Sequence, residues 1–200
     1  MSLFARHRPR LDAALDAVIR GGVAVRLPVA PLDPDAERLF RARLGSSFAL
    51  PGVTGEGRLG GERSPWGLDL AVTYPVASAA AWLQAAQAAR ADWADATPEV
   101  RTGVLLEALA RLEAGAGVLA HAVAHTTGQP LAMAFERSGP VGFARALDAT
   151  AQAYAAVKRV PAPERRSLPG AVGRVVERRW RVVPRGIALV VGTATSSWEA

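Results

Sequence analysis

The 200-residue sequence contains no cysteine. That absence removes disulfides, thiolate metal ligands and a cysteine nucleophile in one step. Lysine is nearly missing as well: of 24 basic residues one, Lys158, is lysine and the rest are arginine. Aromatic residues make up 6% of the chain, and no uncharged apolar run approaches the length of a membrane helix, so no membrane partner is expected. The start MSLFARHRPR is basic, but Asp12 and Asp16 interrupt the apolar stretch that a secretory signal needs, and a cytoplasmic location is expected.

What is present is enough for a real core. Half of the residues are hydrophobic and 21% are charged, the balance of a globular protein. At this length roughly 70% of the unfolded surface can be buried. The net charge of +6 comes from arginines interspersed with Asp and Glu. Together with abundant alanine, they read as the codon bias of a GC-rich bacterium rather than as a binding signal.

Periodicity predicts short helices over residues 9–20 and 34–44, the second opened by Asp33 and Pro34. A Gly- and Pro-rich arm follows from Leu50 to Pro75, with one short strand expected over Leu68 to Thr73. Trp82, Ala86, Ala89 and Trp93 recur at helical spacing. The next helix takes Thr97 as cap and Pro98 at its first position, and sets Val104, Leu105, Leu109 and Leu112 on the expected apolar face. A third helix of this group runs from about Gly117 to Thr126 and ends at Gly128. A fourth, from Pro130 to Lys158, is interrupted at Ser138, Gly139 and Pro140. After the loop PAPERRSLPG the period changes to two, with Val176, Trp180 and Val182 alternating against Glu177, Arg179 and Arg181, which predicts a long strand or a hairpin arm. The Val-rich run Ile187 to Val191, closed by Gly192, has the form of a strand buried on both faces.

Three stretches are candidates for chemistry. HAVAH places His121 and His125 on one helix face at a zinc-ligand spacing, but position 122 is alanine where a metalloprotease needs glutamate and no third ligand is near. Packing or helix-end histidines are the expectation, with no metal site. RVVERRWRVVPR combines arginines with Trp180, which could suit single-stranded nucleic acid. A two-faced strand with a solvated or subunit-facing polar side is preferred, so no nucleic-acid partner is expected. TATSSWEA is Ser/Thr-rich, as loops around a phosphate or ribose are, yet it lacks the Gly-x-Gly-x-x-Gly pattern.

Several stretches together resemble the N-terminal part of an aldehyde dehydrogenase superfamily member of the phenylacetic acid degradation type. They are ERSPWG (62–67), TYP (73–75), AVAHTTGQP (122–130), MAF (133–135), GP (139–140) and VPRGIALVVG (183–192). The resemblance implies an α/β fold with four parts: N-terminal helices and an extended arm over 1–76, a helical layer of the cofactor domain over 77–170, an oligomerisation-type strand arm over 171–185, and the first Rossmann-like strand with the start of a cofactor loop over 186–200. It implies NAD or NADP as cofactor, with Thr193, Ala194, Thr195, Ser196 and Trp198 as the residues carried over to its site.

The family's reaction is thiolate attack on an aldehyde, hydride transfer to NAD(P), and hydrolysis of the thioester. With no cysteine in the sequence there is no catalytic residue to assign, and an inactive N-terminal fragment is expected. Where relatives carry Trp-Asn, whose asparagine donates to the developing oxyanion, this sequence reads Trp198-Glu199, and a carboxylate there repels that charge. The implied partners are an aldehyde and either a homo-oligomer or a complementing C-terminal chain. The rival reading is a non-enzymatic helical module that pairs its arm, Val172 to Val183, with a partner's sheet edge.

Overall fold

The computed structural model describes residues 1–20, 31–49, 52, 55–167, 175–180, 182–183 and 186–190. Its core is a trio of helices: α1 (Leu3–Ile19), α4 (Pro98–Ala114) and α7 (Gly142–Lys158) pack against one another in pairs. Leu11 and Ala14 of α1, Leu106 and Leu109 of α4, and Phe143, Leu147 and Ala151 of α7 form one buried cluster. Burying such side chains contributes about 1.5–3 kcal/mol each before entropy is counted.

Local signals set most helix ends. Ser2, Ser78 and Thr97 each accept a backbone N–H three residues on, capping α1, α3 (Ala79–Asp95) and α4. Gly128, at φ 75°, takes the left-handed position that ends α5 (Ala116–Thr127). Beyond it, α6 (Leu131–Glu136) passes through a π turn over Arg137–Val141 into α7, and the break falls at Gly139, which leaves helical geometry at φ −105°, ψ −114° beside Pro140. This is the predicted interruption. Helix α1 begins six residues before the predicted start and carries Pro9 inside its first turns, whereas α2 (Ala36–Arg41) is shorter than predicted.

Two helix contacts rely on missing side chains. A Cβ on Gly103 of α4 would lie 2.6 Å from the Phe4 backbone nitrogen, and one on Gly117 of α5 would lie 2.7 Å from Ala36 Cβ of α2. Glycine thus lets α1 approach α4, and α2 approach α5, almost backbone to backbone.

Several expectations are corrected. The apolar face of α4 is rotated: Leu106 is 0% exposed, while Leu105 is 47% exposed and Val104 and Leu112 also face out. Leu109 alone of the four predicted residues is buried, because Gly103 and Thr102 bring the opposite stripe onto α1. The strand expected over 68–73 lies later, as β2 (Thr73–Val76) paired antiparallel with β1 (Gly57–Gly60). The predicted loop 161–170 contains β3 (Glu164–Ser167), which pairs antiparallel with β4 (Val175–Arg178). The arm is therefore a hairpin whose first strand precedes the 171 boundary, and β4 is exposed on both faces rather than alternating. Helix α1, within the 1–76 part, shares one core with α4 and α7 of the 77–170 part. Of the expected cofactor-domain strand, residues 186–190 run without a ladder partner among the described residues, with Leu189 89% exposed. No described helix is long and apolar enough to cross a membrane.

Candidate functional site

The two most motif-like stretches, ERSPWG and HAVAHTTGQP, meet in space. Helix α5 carries the second, and the loop after β1 carries the first. Ser64 Oγ shares a 2.9 Å hydrogen bond with His125 Nδ1 and accepts the Trp66 backbone N–H at 3.1 Å. The Trp66 indole N–H donates to the Ala124 carbonyl at 3.2 Å. Pro65 sits over Gly128, where a Cβ would come within 3.3 Å of its ring. The loop thus closes over the C-terminal end of α5 and adds a second donor to the Ala124 carbonyl, which also accepts the Gly128 N–H at 3.0 Å.

The histidines of HAVAH serve this packing. Phe40 of α2 stacks on both rings, with centroids 5.9 Å from His121 and 5.0 Å from His125. Burial first, then the neighbouring His121 and Arg41, hold the His125 imidazole below its ordinary pKa, with Glu37 opposing them. A neutral ring in this position is an apolar plate with one hydrogen bond to Ser64, the packing role read from the sequence. Among the described residues no group of three metal-ligating side chains comes together.

A groove of about 530 Å³ opens beside this junction, between the arm and the α4–α5 corner. Its arm-side wall is fixed by Arg58, whose Nη2 donates to the carbonyls of Phe48 at 2.7 Å and Thr73 at 2.8 Å. Backbone bonds from Phe48 N to Thr73 O and from Thr73 N to Ser46 O complete it. Phe48 and Tyr74 face one another with ring centroids 5.9 Å apart. Partial burial, and then Glu62, push the Tyr74 phenol above its ordinary pKa. Sequence reading missed this groove, whose walls come from residues about 70 apart in the chain. The available signal was Leu70, Val72 and Tyr74 within the stretch read as a Gly- and Pro-rich arm, with Phe48 just before it.

The arginine-rich stretch is in part internally neutralised. Glu177 of β4 accepts Arg179 Nε at 2.9 Å and lies 3.8 Å from an Arg165 Nη on β3. Trp180 is partly exposed beside it. The residues carried over to a cofactor site, Thr193, Ala194, Thr195, Ser196 and Trp198, lie outside the described residues, as do Arg181 and Val191. No described residue is therefore assigned to hold a dinucleotide.

Comparison with known proteins gives one informative likeness. No family model and no curated protein matches the chain. Among solved structures, a crystal structure of an NAD-dependent aldehyde dehydrogenase from Burkholderia multivorans superposes with a TM-score of 0.83 at 36% identity, over 98% of this chain and 37% of that one. The likeness supports the aldehyde dehydrogenase superfamily, and the chain spans a little over a third of that relative's length.

Proposed function

We propose that these 200 residues form the N-terminal part of an NAD(P)-dependent aldehyde dehydrogenase of the phenylacetic acid degradation type. The observation that carries the proposal is the docking of ERSPWG on HAVAHTTGQP through Ser64, His125 and Trp66, in a chain that superposes nearly end to end on an aldehyde dehydrogenase. The described residues act as scaffold: α5 packs against α2 and α6 and holds the loop, and α6 leads through the π turn into α7 of the trio. NAD(P), when bound to such an enzyme, accepts hydride. In this reading Thr193, Ala194, Thr195, Ser196 and Trp198 border that cofactor. By themselves the 200 residues do not oxidise aldehydes, since the family's nucleophile is a cysteine and the sequence has none.

The test is NADH formation from NAD+ and phenylacetaldehyde by the purified 200-residue chain. No turnover above a protein-free control is expected. Turnover that copurifies with the chain and survives removal of contaminating dehydrogenases would refute the silent-fragment reading. A second reading, a non-enzymatic interaction module, draws support from the exposed hairpin β3–β4, whose outer edges have no ladder partner among the described residues. It predicts cooperative melting of the chain together with a binding partner recovered on the hairpin, and loss of that binding in Val176→Pro.

A further inference from the structure

The groove between the arm and the α4–α5 corner combines an apolar floor with a cation that no described carboxylate engages. Leu44, Phe48, Leu70, Leu112 and Leu119 supply apolar surface, and both Phe48 and Leu112 remain well exposed. Two guanidinium groups line the same groove, Arg43 and Arg111. Arg111 is engaged, donating Nε to Glu107 at 2.9 Å. The Arg43 side chain has no hydrogen bond or ion pair among the described residues, although Asp and Glu pair with most arginines around it, as in Arg41 with Glu37 and Arg38 with Asp35.

The volume lies within the range of small-molecule sites, and the wall is preformed by the three-point grip of Arg58 on Phe48 and Thr73. A ligand that fits must have an apolar body and one anionic head. A purely apolar ligand leaves Arg43 unused, and a small inorganic anion leaves the apolar floor in water. We infer that this groove binds a medium-chain aliphatic monocarboxylate, its chain along Phe48, Leu70, Leu112 and Leu119 and its carboxylate on Arg43. The site lies among described residues and is independent of the dehydrogenase reading, so either stands if the other falls.

The experiment is calorimetric titration of the 200-residue chain with octanoate and, in parallel, with octanol, alongside backbone amide shift mapping. Saturable octanoate binding is expected, with shifts concentrated at Phe48, Leu70, Leu112 and Leu119. Loss of the charge-assisted contact in Arg43→Gln weakens it by about tenfold, and octanol binds about as weakly as octanoate does to that variant. Because Arg43 is exposed, the variant folds, which an unchanged amide spectrum away from the groove verifies. Ala122→Phe, which fills the groove without touching the charge, abolishes binding of both probes. Equal affinity for octanol and octanoate, or an unchanged affinity in Arg43→Gln, overturns the proposal. So does a concentration-dependent doubling of mass that octanoate fails to reverse, since a second copy then covers the groove.

Discussion

Helices α3 and α4 are each 17 residues long, each begins at a Ser or Thr cap, and they are separated by two residues in the chain. Yet α4 buries Thr102, Gly103, Leu106 and Leu109, and α3 buries nothing. Trp82 and Trp93 of α3 stay 40% and 45% exposed. The difference does not lie in capping or helix propensity, where Ala-rich α3 has the advantage. It lies in shape. Gly103 gives α4 a notch that admits the α1 backbone, and Leu106 and Leu109 then meet Leu11 and Phe143 across that contact. Helix α3 presents alanines and two indoles to which no described element is complementary. Local sequence makes both helices, and among the described residues only α4 of the two buries any of its own.

Substitutions can sharpen that contrast. The largest effect is expected at Leu106: truncation to alanine leaves a cavity between three helices and costs about 2–5 kcal/mol in urea unfolding. The adjacent Leu105→Ala should cost well under half as much, because that side chain faces out. Equal losses would mean that α4 is rotated from the orientation described. Next comes Gly103→Ala. In a free helix this exchange stabilises by about 0.5–1 kcal/mol. Here the new Cβ meets Phe4 backbone at 2.6 Å, so the sign inverts and a loss of about 1–3 kcal/mol is expected.

A smaller, pH-dependent effect comes from Glu107, the hub between α1 and α4. It accepts His7 Nε2 at 2.8 Å, Arg6 Nη1 at 3.2 Å and Arg111 Nε at 2.9 Å. The His7 hydrogen bond first, and then Arg111, lower its pKa from 4.5 to about 2. A depressed carboxylate contributes stability that is complete above its unfolded value and is lost as pH falls from about 4.5 through about 2. Urea midpoints measured across that window should fall in the wild-type chain and fall less in Glu107→Gln. The smallest effect is expected at Trp93→Ala in α3, within about 1 kcal/mol despite the size of the side chain.

The legible part of the fold was the part governed by local chemistry. Thr97-Pro98, Gly128 and Ser138-Gly139-Pro140 each placed a boundary or a break where the backbone has it. The face of α4 was misread because Val104, Leu105 and Leu112 are as apolar as Leu106, and the choice between stripes is made by Gly103 against a helix about 100 residues away in the chain. Strand β3 was hidden because Glu164, Arg165 and Arg166 have little strand preference of their own and are recruited by β4. At the candidate site, His121 and His125 were legible as packing residues, but the ring stacked on both, Phe40, and the hydrogen-bond partner of His125, Ser64, come from distant segments. The groove likewise joins Leu70 and Tyr74 to Leu112 and Leu119, from helices distant in the chain, so its apolar arm residues alone did not place it.

Hydrogen exchange of the 200-residue chain tests the central contrast most directly. If the trio forms its own core and α3 lacks one, amides in the middle of α1, α4 and α7 should share the slow exchange of global unfolding, while those of α3 exchange orders of magnitude faster. Protection of α3 equal to that of α4 would contradict the account, because it would require a buried interface on a helix that here buries none of its residues.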